Sequence, residues 1–175
     1  KMLRVFTSAG YDVATRLEEG VVEVAFDIDP TAAALAAMER RERVAEAASV
    51  RRILHPASVA VVGAGRVGGS LGADVFRNLL DNGYLGSTFA VNREAADAGE
   101  RVYGVDAYRT LDDLPEPPDL VVVAVPAAEV PGVVERAGRC GAGGVAVLSA
   151  GFSEDGPEGA ELERRTVEAA RLHGM

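Results

Sequence analysis

The chain has 175 residues, of which 48% are hydrophobic and 26% charged, and 27 acidic against 18 basic residues give a net charge of −9. The apolar fraction predicts a folded chain of one ordinary domain with an appendage, not a disordered one. The negative charge, the scarcity of aromatic residues and the absence of Trp argue against a nucleic-acid-binding surface. No apolar run reaches the roughly 20 residues of a membrane span, and the first residues lack the pattern of a secretory signal. Cys140 is the single cysteine, so we expect a cytoplasmic protein without disulfides and without a metal site.

The first 30 residues predict a helix followed by a β-hairpin. Apolar residues at helical spacing precede Gly10, and two alternating segments, 13–17 and 21–28, flank a turn at 18–20. A hairpin with one helix cannot bury its own apolar face. This segment therefore predicts the end of a domain whose other part is missing, and we expect either dimerisation or poor order of the hairpin.

Residues 31–50 predict a connecting helix. They are rich in Ala and in mixed charges, Thr31 is placed to cap the N-terminus, and neither Gly nor Pro occurs before Pro56. The charged run 39–43 is more typical of a solvated helix face than of a docking surface.

Residues 51–175 alternate between strand and helix patterns. Strands are predicted at 58–62, 88–91, 102–107, 120–125 and 145–149, and helices at 68–82, 127–138 and 158–172. Continuous β-branched runs indicate strands buried on both faces, which parallel strands covered by helices have. The pattern predicts an α/β fold with a Rossmann-like, doubly wound parallel sheet.

A glycine-rich loop follows the first of these strands and leads into the first helix. It contains Gly63, Ala64, Gly65, Arg66, Gly68, Gly69, Ser70 and Gly72. Glycines let the backbone approach a diphosphate, and the free N–H groups of a helix N-terminus favour its negative charge. Arg66 adds a cation and Ser70 a hydroxyl donor, so the loop predicts a phosphate-bearing nucleotide.

The glycine spacing leaves the choice of nucleotide open. Gly63, Gly65 and Gly68 satisfy the dinucleotide-binding pattern G-x-G-x-x-G. NAD binding requires an acidic residue at the end of the second strand, where this chain has Asn92 and Arg93. Arg93 suits the 2′-phosphate of NADP or the 3′-phosphate of coenzyme A equally well.

Further strand ends carry a resemblance to a known family. Besides the loop, the motifs are 54–64, Val91-Asn92, Val125-Pro126-Ala127 and Ser149-Ala150-Gly151-Phe152-Ser153-Glu154. In this order they resemble the CoA-binding domain of NDP-forming acyl-CoA synthetases, which include the succinyl-CoA synthetase α-subunit and ADP-forming acetate–CoA ligases. The resemblance covers residues 51–175.

The resemblance implies that coenzyme A or acetyl-CoA lies across the carboxyl ends of the parallel strands. The loop would hold the phosphates, and Asn92 and Arg93 would face the adenosine end. The ligand channel would be lined by Val125, Pro126, Ser149, Ala150, Gly151 and Phe152. Two positions depart from the family pattern, since Gly65 stands where Ser is usual and Arg93 where Pro is common.

No catalytic residue is predicted within the chain. The phosphorylated His of the ligase reaction would belong to a second domain, which the family places after a position near Met175. His55 precedes the first strand and His173 lies at a helix end, and both are expected to be structural or solvated. This fragment is therefore expected to bind its ligand without catalysing a reaction.

The N-terminal segment resembles another family. The segment 2–6, together with Ala9-Gly10-Tyr11 and the two strands, resembles the last helix and hairpin of a GNAT-type N-acetyltransferase. Together with the CoA-binding domain, this resembles bacterial multidomain protein lysine acetyltransferases of the Pat type. It implies a GNAT-like end at 1–30, a connector at 31–50 and a CoA-binding domain at 51–175 whose role is catalytic or regulatory. The implied partners are the other GNAT and ligase-like domains and a protein substrate.

Two alternatives remain at this point. One is an NADP-binding domain of an oxidoreductase, and the other is a degenerate fold that serves as an interaction module.

Other clusters predict little chemistry. The acidic residues at 112–116 suit a surface turn, Glu154, Asp155 and Glu158 suit the N-terminus of the last helix, and Cys140 is expected to be inert.

Overall fold

A computed structural model describes residues 13–18, 21–26, 35, 36, 40, 50–66 and 68–175. The chain divides into two compact units, residues 1–48 and 49–175. The predicted helix at 2–9 and most of the predicted connecting helix lie outside the described residues. Residues 50–54 are helical. No helix of the described part is both long enough and apolar enough to cross a membrane.

The first unit contains an antiparallel hairpin. Strand β1 (Val13–Glu18) pairs with β2 (Val21–Phe26), as the alternating pattern predicted. Leu17 and Val21 are 71% and 68% exposed, and Val22 is also exposed. The apolar residues that a hairpin normally buries therefore face outward in this unit.

The second unit is built on a six-stranded sheet. Its strands are β3 (Ser58–Val62), β4 (Ser87–Val91), β5 (Arg101–Val102), β6 (Val105–Tyr108), β7 (Leu120–Val123) and β8 (Val145–Val147). The order across the sheet is β5-β6-β4-β3-β7-β8. Since β4 and β7 lie on opposite sides of β3, the chain reverses its direction of winding at β3. Ligands of open α/β sheets bind beyond the carboxyl ends of the strands at such a point.

The sheet is parallel except at one edge. A single strand was predicted at 102–107, but the structure has two short strands, β5 and β6, which pair antiparallel. Tyr103, with φ of +47°, and Gly104 form the turn between them. The turn interrupts the period-two alternation, since Val102 and Val105 are three residues apart and pack on the same core.

Four helices cover the two faces of the sheet. They are α1 (Leu71–Asp81), α2 (Arg93–Asp97), α3 (Val130–Arg139) and α4 (Pro157–Leu172). Phe76 of α1 and Ala95 of α2 pack on one core, whereas Val130 and Val134 of α3 pack on the other together with residues of α4. The side chains of β3 alternate between these cores. This arrangement confirms the predicted doubly wound α/β fold.

Candidate functional site

The glycine-rich loop begins where β3 ends, and two glycines fix its path. Gly63 has φ of +91°, and a Cβ there would clash with the carbonyl oxygen of Ala124. Its N–H donates a hydrogen bond of 3.0 Å to the carbonyl of Val91. A Cβ on Gly72 in α1 would in turn clash with the carbonyl oxygen of Gly63. The loop is therefore held by direct backbone packing against β7 and α1, which only glycine permits.

The loop ends in a capped helix. Ser70 is the N-cap of α1, and its Oγ accepts a 3.3 Å hydrogen bond from the N–H of Ala73. The hydroxyl proton can still be donated, because Oγ acts only as acceptor in this contact. Gly68 and Gly69 are exposed beside it, Gly65 is half-buried, and Ala64 is fully buried in the core. Val67 lies outside the described residues.

Arg66 already has a partner. Its guanidinium forms an ion pair with Glu100, which follows α2, and both side chains are partly exposed. The predicted phosphate contact thus requires Arg66 to leave or share this carboxylate.

Asn92 braces the second strand end against the loop. Its Nδ2 donates a 2.8 Å hydrogen bond to the carbonyl of Ala64, and its Oδ1 accepts one of 2.9 Å from the N–H of Ala95. The amide therefore both caps α2 and ties β4 to the glycine-rich loop. Arg93 is the first residue of α2 and is exposed.

The ends of β7 and β8 are joined in a similar way. Ser149 Oγ donates a 2.5 Å hydrogen bond to the carbonyl of Val125. Pro126 precedes a short 3-10 turn, Ala127–Glu129, that leads into α3. Two segments predicted to line one channel are thus in direct contact.

Two N–H groups after β8 bind a carboxylate of the chain itself. Glu154 Oε1 accepts hydrogen bonds of 2.7 Å from the N–H of Gly151 and 3.1 Å from the N–H of Phe152. These bonds, led by that of Phe152, lower the pKa of Glu154. The sequence placed Glu154 at the N-terminus of the last helix, but its carboxylate closes this turn instead. Ala150, which precedes the turn, is exposed.

A cavity of about 300 Å³ lies beyond the carboxyl ends of β3, β4, β6 and β7. Its walls include the predicted site residues Gly63, Asn92, Arg93 and Val125. Ser149 and Phe152 instead line a separate cavity of about 330 Å³ between β8 and α4. These predicted residues thus share one edge of the sheet but line two cavities, and Arg66, Ser70 and Pro126 line neither of them.

Several residues at this edge were not among the predicted site residues. Arg109, directly after β6, and Arg136 of α3 line the first cavity. Glu100 pairs with the loop, and the buried hydroxyl of Tyr103 is 4.0 Å from where a Cβ on Gly68 would lie. Arg109 had a usable signal, since it follows a strand as Asn92 does, whereas the others depend on contacts between distant segments.

The two histidines lie away from the glycine-rich loop. His55 is exposed, and its N–H donates to the carbonyl of Arg51. His173 caps the C-terminus of α4, packs against Gly138 and places Nε2 3.3 Å from Oε2 of Glu135. Among the described residues there is no group of three or more His, Cys, Asp or Glu side chains suited to a metal ion.

Comparison with known proteins decides the family. Residues 57–175 match the family described as CoA binding domain. The chain belongs to this family. The CoA-binding domain thus accounts for most of the chain, and the resemblance seen in the sequence is confirmed for this part.

Two relatives of this CoA-binding domain are ADP-forming acetate–CoA ligases. It is 38% identical over 126 residues to the ADP-forming acetate–CoA ligase II of Archaeoglobus fulgidus, and 35% identical over 127 residues to the ADP-forming acetate–CoA ligase I subunit alpha of Pyrococcus furiosus. These matches cover 72% and 73% of the chain but 18% and 28% of the two relatives. The chain therefore spans less than a third of the length of either protein.

A solved structure gives the same assignment. The apo form of the dinucleotide-forming acetyl-coenzyme A synthetase 1 of Ca. Korarchaeum cryptofilum matches with a TM-score of 0.66 and 32% identity. The match covers 72% of this chain and 26% of that one. The shared part is the Rossmann-like domain.

The residues present fit coenzyme A as the ligand of the domain. The ligand carries a diphosphate, and the exposed Gly69 leaves open space beside the first turn of α1, since nothing lies within 4 Å of where its Cβ would be. The adjoining cavity contains Arg93, Arg109 and Arg136, whose charges suit phosphate groups.

Proposed function

We propose that residues 51–175 bind CoA or acyl-CoA as one domain of a larger protein similar to NDP-forming acyl-CoA synthetases. The observation that carries this proposal is the cavity at the strand ends. It adjoins the glycine-rich loop through Gly63, contains arginine side chains, and lies at the sheet position where α/β folds bind ligands.

Each part of the edge has a role in this proposal. The backbone of the glycine-rich loop, with Arg66 and Ser70, holds the diphosphate at the N-terminus of α1. Asn92 and Arg93 lie at the adenosine end. Val125, Pro126 and the segment 149–152 border the path of the pantetheine arm. The bound cofactor supplies the thiol that carries the acyl group.

The role of the domain depends on the rest of the protein. The ligases that it resembles are much longer than this chain, which supports ligase-like domains as partners. In an active ligase the domain would place CoA for acyl transfer, with the catalytic groups in other domains. In an inactive one it would sense CoA or acyl-CoA, which requires different affinities in two conformations.

For the first unit we propose the end of a GNAT-type acetyltransferase domain. The antiparallel hairpin of β1 and β2, with Leu17, Val21 and Val22 exposed, supports a missing part that covers these side chains. The full-length gene product should then acetylate lysine peptides with acetyl-CoA. If the protein binds CoA but does not acetylate lysine peptides, the assignment of the first unit to a GNAT-type domain is wrong. The 175-residue chain should dimerise through the hairpin, which light scattering would measure.

Calorimetric titration of the 175-residue chain with CoA, acetyl-CoA and NADPH tests the proposal. CoA and acetyl-CoA should bind and NADPH should not. Arg66→Ala should weaken CoA binding, whereas Arg101→Ala, which removes an exposed arginine paired with Asp106, should not. Ser70→Gly removes the hydroxyl yet costs the helix only a few tenths of a kcal/mol. Weaker CoA binding by this variant is therefore expected and is a second test.

Two outcomes would contradict the proposal. Binding of NADPH without CoA would indicate an NADP-dependent oxidoreductase domain, the alternative that the G-x-G-x-x-G spacing allows. Binding of none of the three ligands would indicate an interaction module with a degenerate site.

A further inference from the structure

Three arginines converge on the cavity from three different elements. Arg93 begins α2 directly after β4, Arg109 directly follows β6, and Arg136 lies in α3 on the opposite side. All three line the cavity, together with the carboxylates of Glu94 and Glu129. A chain with a net charge of −9 thus places three cations around one small volume.

These guanidinium groups are only partly engaged within the described residues. Arg109 Nη1 lies 2.9 Å from Oδ1 of Asp97. Arg136 Nε lies 3.5 Å from Oδ2 of Asp112 but forms no hydrogen bond with the described residues, although this nitrogen is buried. Arg93 has no ion-pair partner in the described part of the chain. A buried N–H without an acceptor is costly, and an anionic ligand in the cavity would offer the missing acceptors.

The cavity is separate from the first turn of α1 but shares Gly63 with the glycine-rich loop. A ligand bound at this edge therefore meets two positively polarised regions, one at the loop and one at the arginines. Coenzyme A has two anionic groups on one adenosine, the diphosphate at the 5′ position and a monophosphate at the 3′ position. The two regions match the two groups in number.

We propose that Arg93, Arg109 and Arg136 form a subsite for the ribose monophosphate of coenzyme A, through which the domain distinguishes CoA from dephospho-CoA. This inference rests on the proposed function and names the part of the ligand that decides affinity. Arginine binds phosphate oxygens through paired N–H donors, and such charge-assisted bonds are about twice as strong as neutral ones. The carboxylates of Glu94 and Glu129 would repel a phosphate unless the arginines were present, and they can accept hydrogen bonds from the ribose hydroxyl or the adenine amino group.

The shared chemistry is a ribose monophosphate, which NADP carries at the 2′ position and CoA at the 3′ position. The nucleotides 3′,5′-ADP and 2′,5′-ADP have the same charge and differ only in this position. The affinities for these two nucleotides therefore distinguish a CoA-type ligand from an NADP-type ligand by the position of the phosphate alone.

The test is calorimetric titration of the 175-residue chain with CoA, dephospho-CoA, 3′,5′-ADP and 2′,5′-ADP. CoA should bind at least about tenfold more tightly than dephospho-CoA, the ratio that one lost charge-assisted interaction produces. The 3′ isomer should bind more tightly than the 2′ isomer. Raising the salt concentration should reduce the preference for CoA, because it screens the charges.

Variants locate the subsite. Arg93→Gln and Arg136→Gln should each weaken the binding of CoA more than the binding of dephospho-CoA, so that the preference for CoA falls. Urea unfolding checks that both variants fold. Arg139→Ala is the matched control, since this exposed residue lies three positions after Arg136 in the same helix and is outside the cavity. It should leave both affinities unchanged.

The outcomes separate this inference from the proposed function. Equal affinities for CoA and dephospho-CoA, or a preference that survives in both glutamine variants, would overturn the arginine subsite and leave CoA binding established. A preference for 2′,5′-ADP would overturn the assignment to coenzyme A. Absence of binding to CoA and dephospho-CoA alike would overturn both this inference and the proposed function.

Discussion

Arg66 in the glycine-rich loop is ion-paired with Glu100, 34 residues further along the chain. The pair connects the loop that leads into α1 to the segment between α2 and β5. Ion pairs between partly exposed side chains contribute only about 0–1 kcal/mol, so a phosphate oxygen can compete with Glu100 for the guanidinium. Glu100 therefore competes with the phosphate contact that we propose for Arg66.

Glu100→Gln should tighten CoA binding by about two- to fivefold, the range that a surface pair of this strength allows. Calorimetry at low and high salt measures it, and the gain should shrink as salt screens the charges. Asp106→Asn is the matched control, because it also removes one carboxylate from an arginine pair, here with Arg101 at 2.7 Å. Weaker binding in Glu100→Gln would mean instead that Glu100 orients Arg66 toward the phosphate.

Tyr103 has a strained backbone and an unused hydroxyl. Its φ of +47° is unusual for a residue other than glycine, and its buried hydroxyl has no hydrogen-bond partner among the described residues. Such features concentrate at ligand sites, and Gly68 of the loop is close by. We expect the hydroxyl to donate to a bound phosphate.

Tyr103→Phe should therefore raise the unfolding free energy of the free protein by about 1 kcal/mol, since an unpaired buried hydroxyl is removed, and weaken CoA binding. Tyr84→Phe provides the opposite case, because that hydroxyl donates a 2.9 Å bond to the carbonyl of Pro56. It should lower stability by about 1 kcal/mol and leave CoA affinity unchanged. Urea unfolding and calorimetry give both quantities. A less stable Tyr103→Phe would show that the hydroxyl already has an acceptor in the free protein.

The sequence was informative where one segment determines its own structure. The apolar run 58–62 and the β-branched run 120–125 predicted buried parallel strands. The first occurs with the predicted bounds, and the second ends at Val123. The glycine-rich loop was found for the same reason, since its strand, turn and helix start are contiguous.

Contacts between distant segments were out of reach. No pattern near Arg66 in the sequence predicts its ion pair with Glu100. No pattern near Arg136 predicts that this residue lines the cavity at the ends of the strands. Asn92 was predicted to lie at the ligand site, where it lines the cavity. That its amide also spans from Ala64 to Ala95 was not predicted, because this role depends on the packing of β4 beside β3. Such pairings are set by tertiary structure, which periodicity does not record.

Gly72 and Gly132 are both helical glycines, but their surroundings differ. A Cβ on Gly72 would clash with the backbone of Gly63, whereas nothing lies within 4 Å of where a Cβ on Gly132 would be. Gly72→Ala should lower the unfolding free energy by about 2 kcal/mol or more through overpacking, and weaken CoA binding by displacing the loop. Gly132→Ala should raise it by about 0.4–1 kcal/mol, because alanine loses less entropy in a helix. Urea unfolding measures both variants, and equal changes in their unfolding free energy would contradict the close approach of α1 to the end of β3.

Asp119 fastens the start of β7 to the start of β3. Its carboxylate accepts hydrogen bonds of 2.8 Å from the N–H of Ala57 and 3.1 Å from Nε of Arg52, and its own N–H donates 3.0 Å to Ser58 Oγ. The bond from Ala57 is the main cause that lowers the pKa of Asp119, with Arg52 adding to it and partial burial opposing it.

A carboxyl whose pKa is lower in the folded state stabilises the fold above its unfolded pKa of about 3.9. That contribution is lost as the pH falls through the folded pKa. Asp119→Asn should therefore lower stability by about 1 kcal/mol at pH 7, and the difference from wild type should be constant down to about pH 5 and shrink below pH 4. Asp81→Asn, at the exposed end of α1, is the control and should leave stability at pH 7 within about 0.5 kcal/mol of wild type. Urea unfolding across this pH range measures both, and a difference that does not shrink at all below pH 4 would mean that the ionised form of Asp119 is not what stabilises the fold.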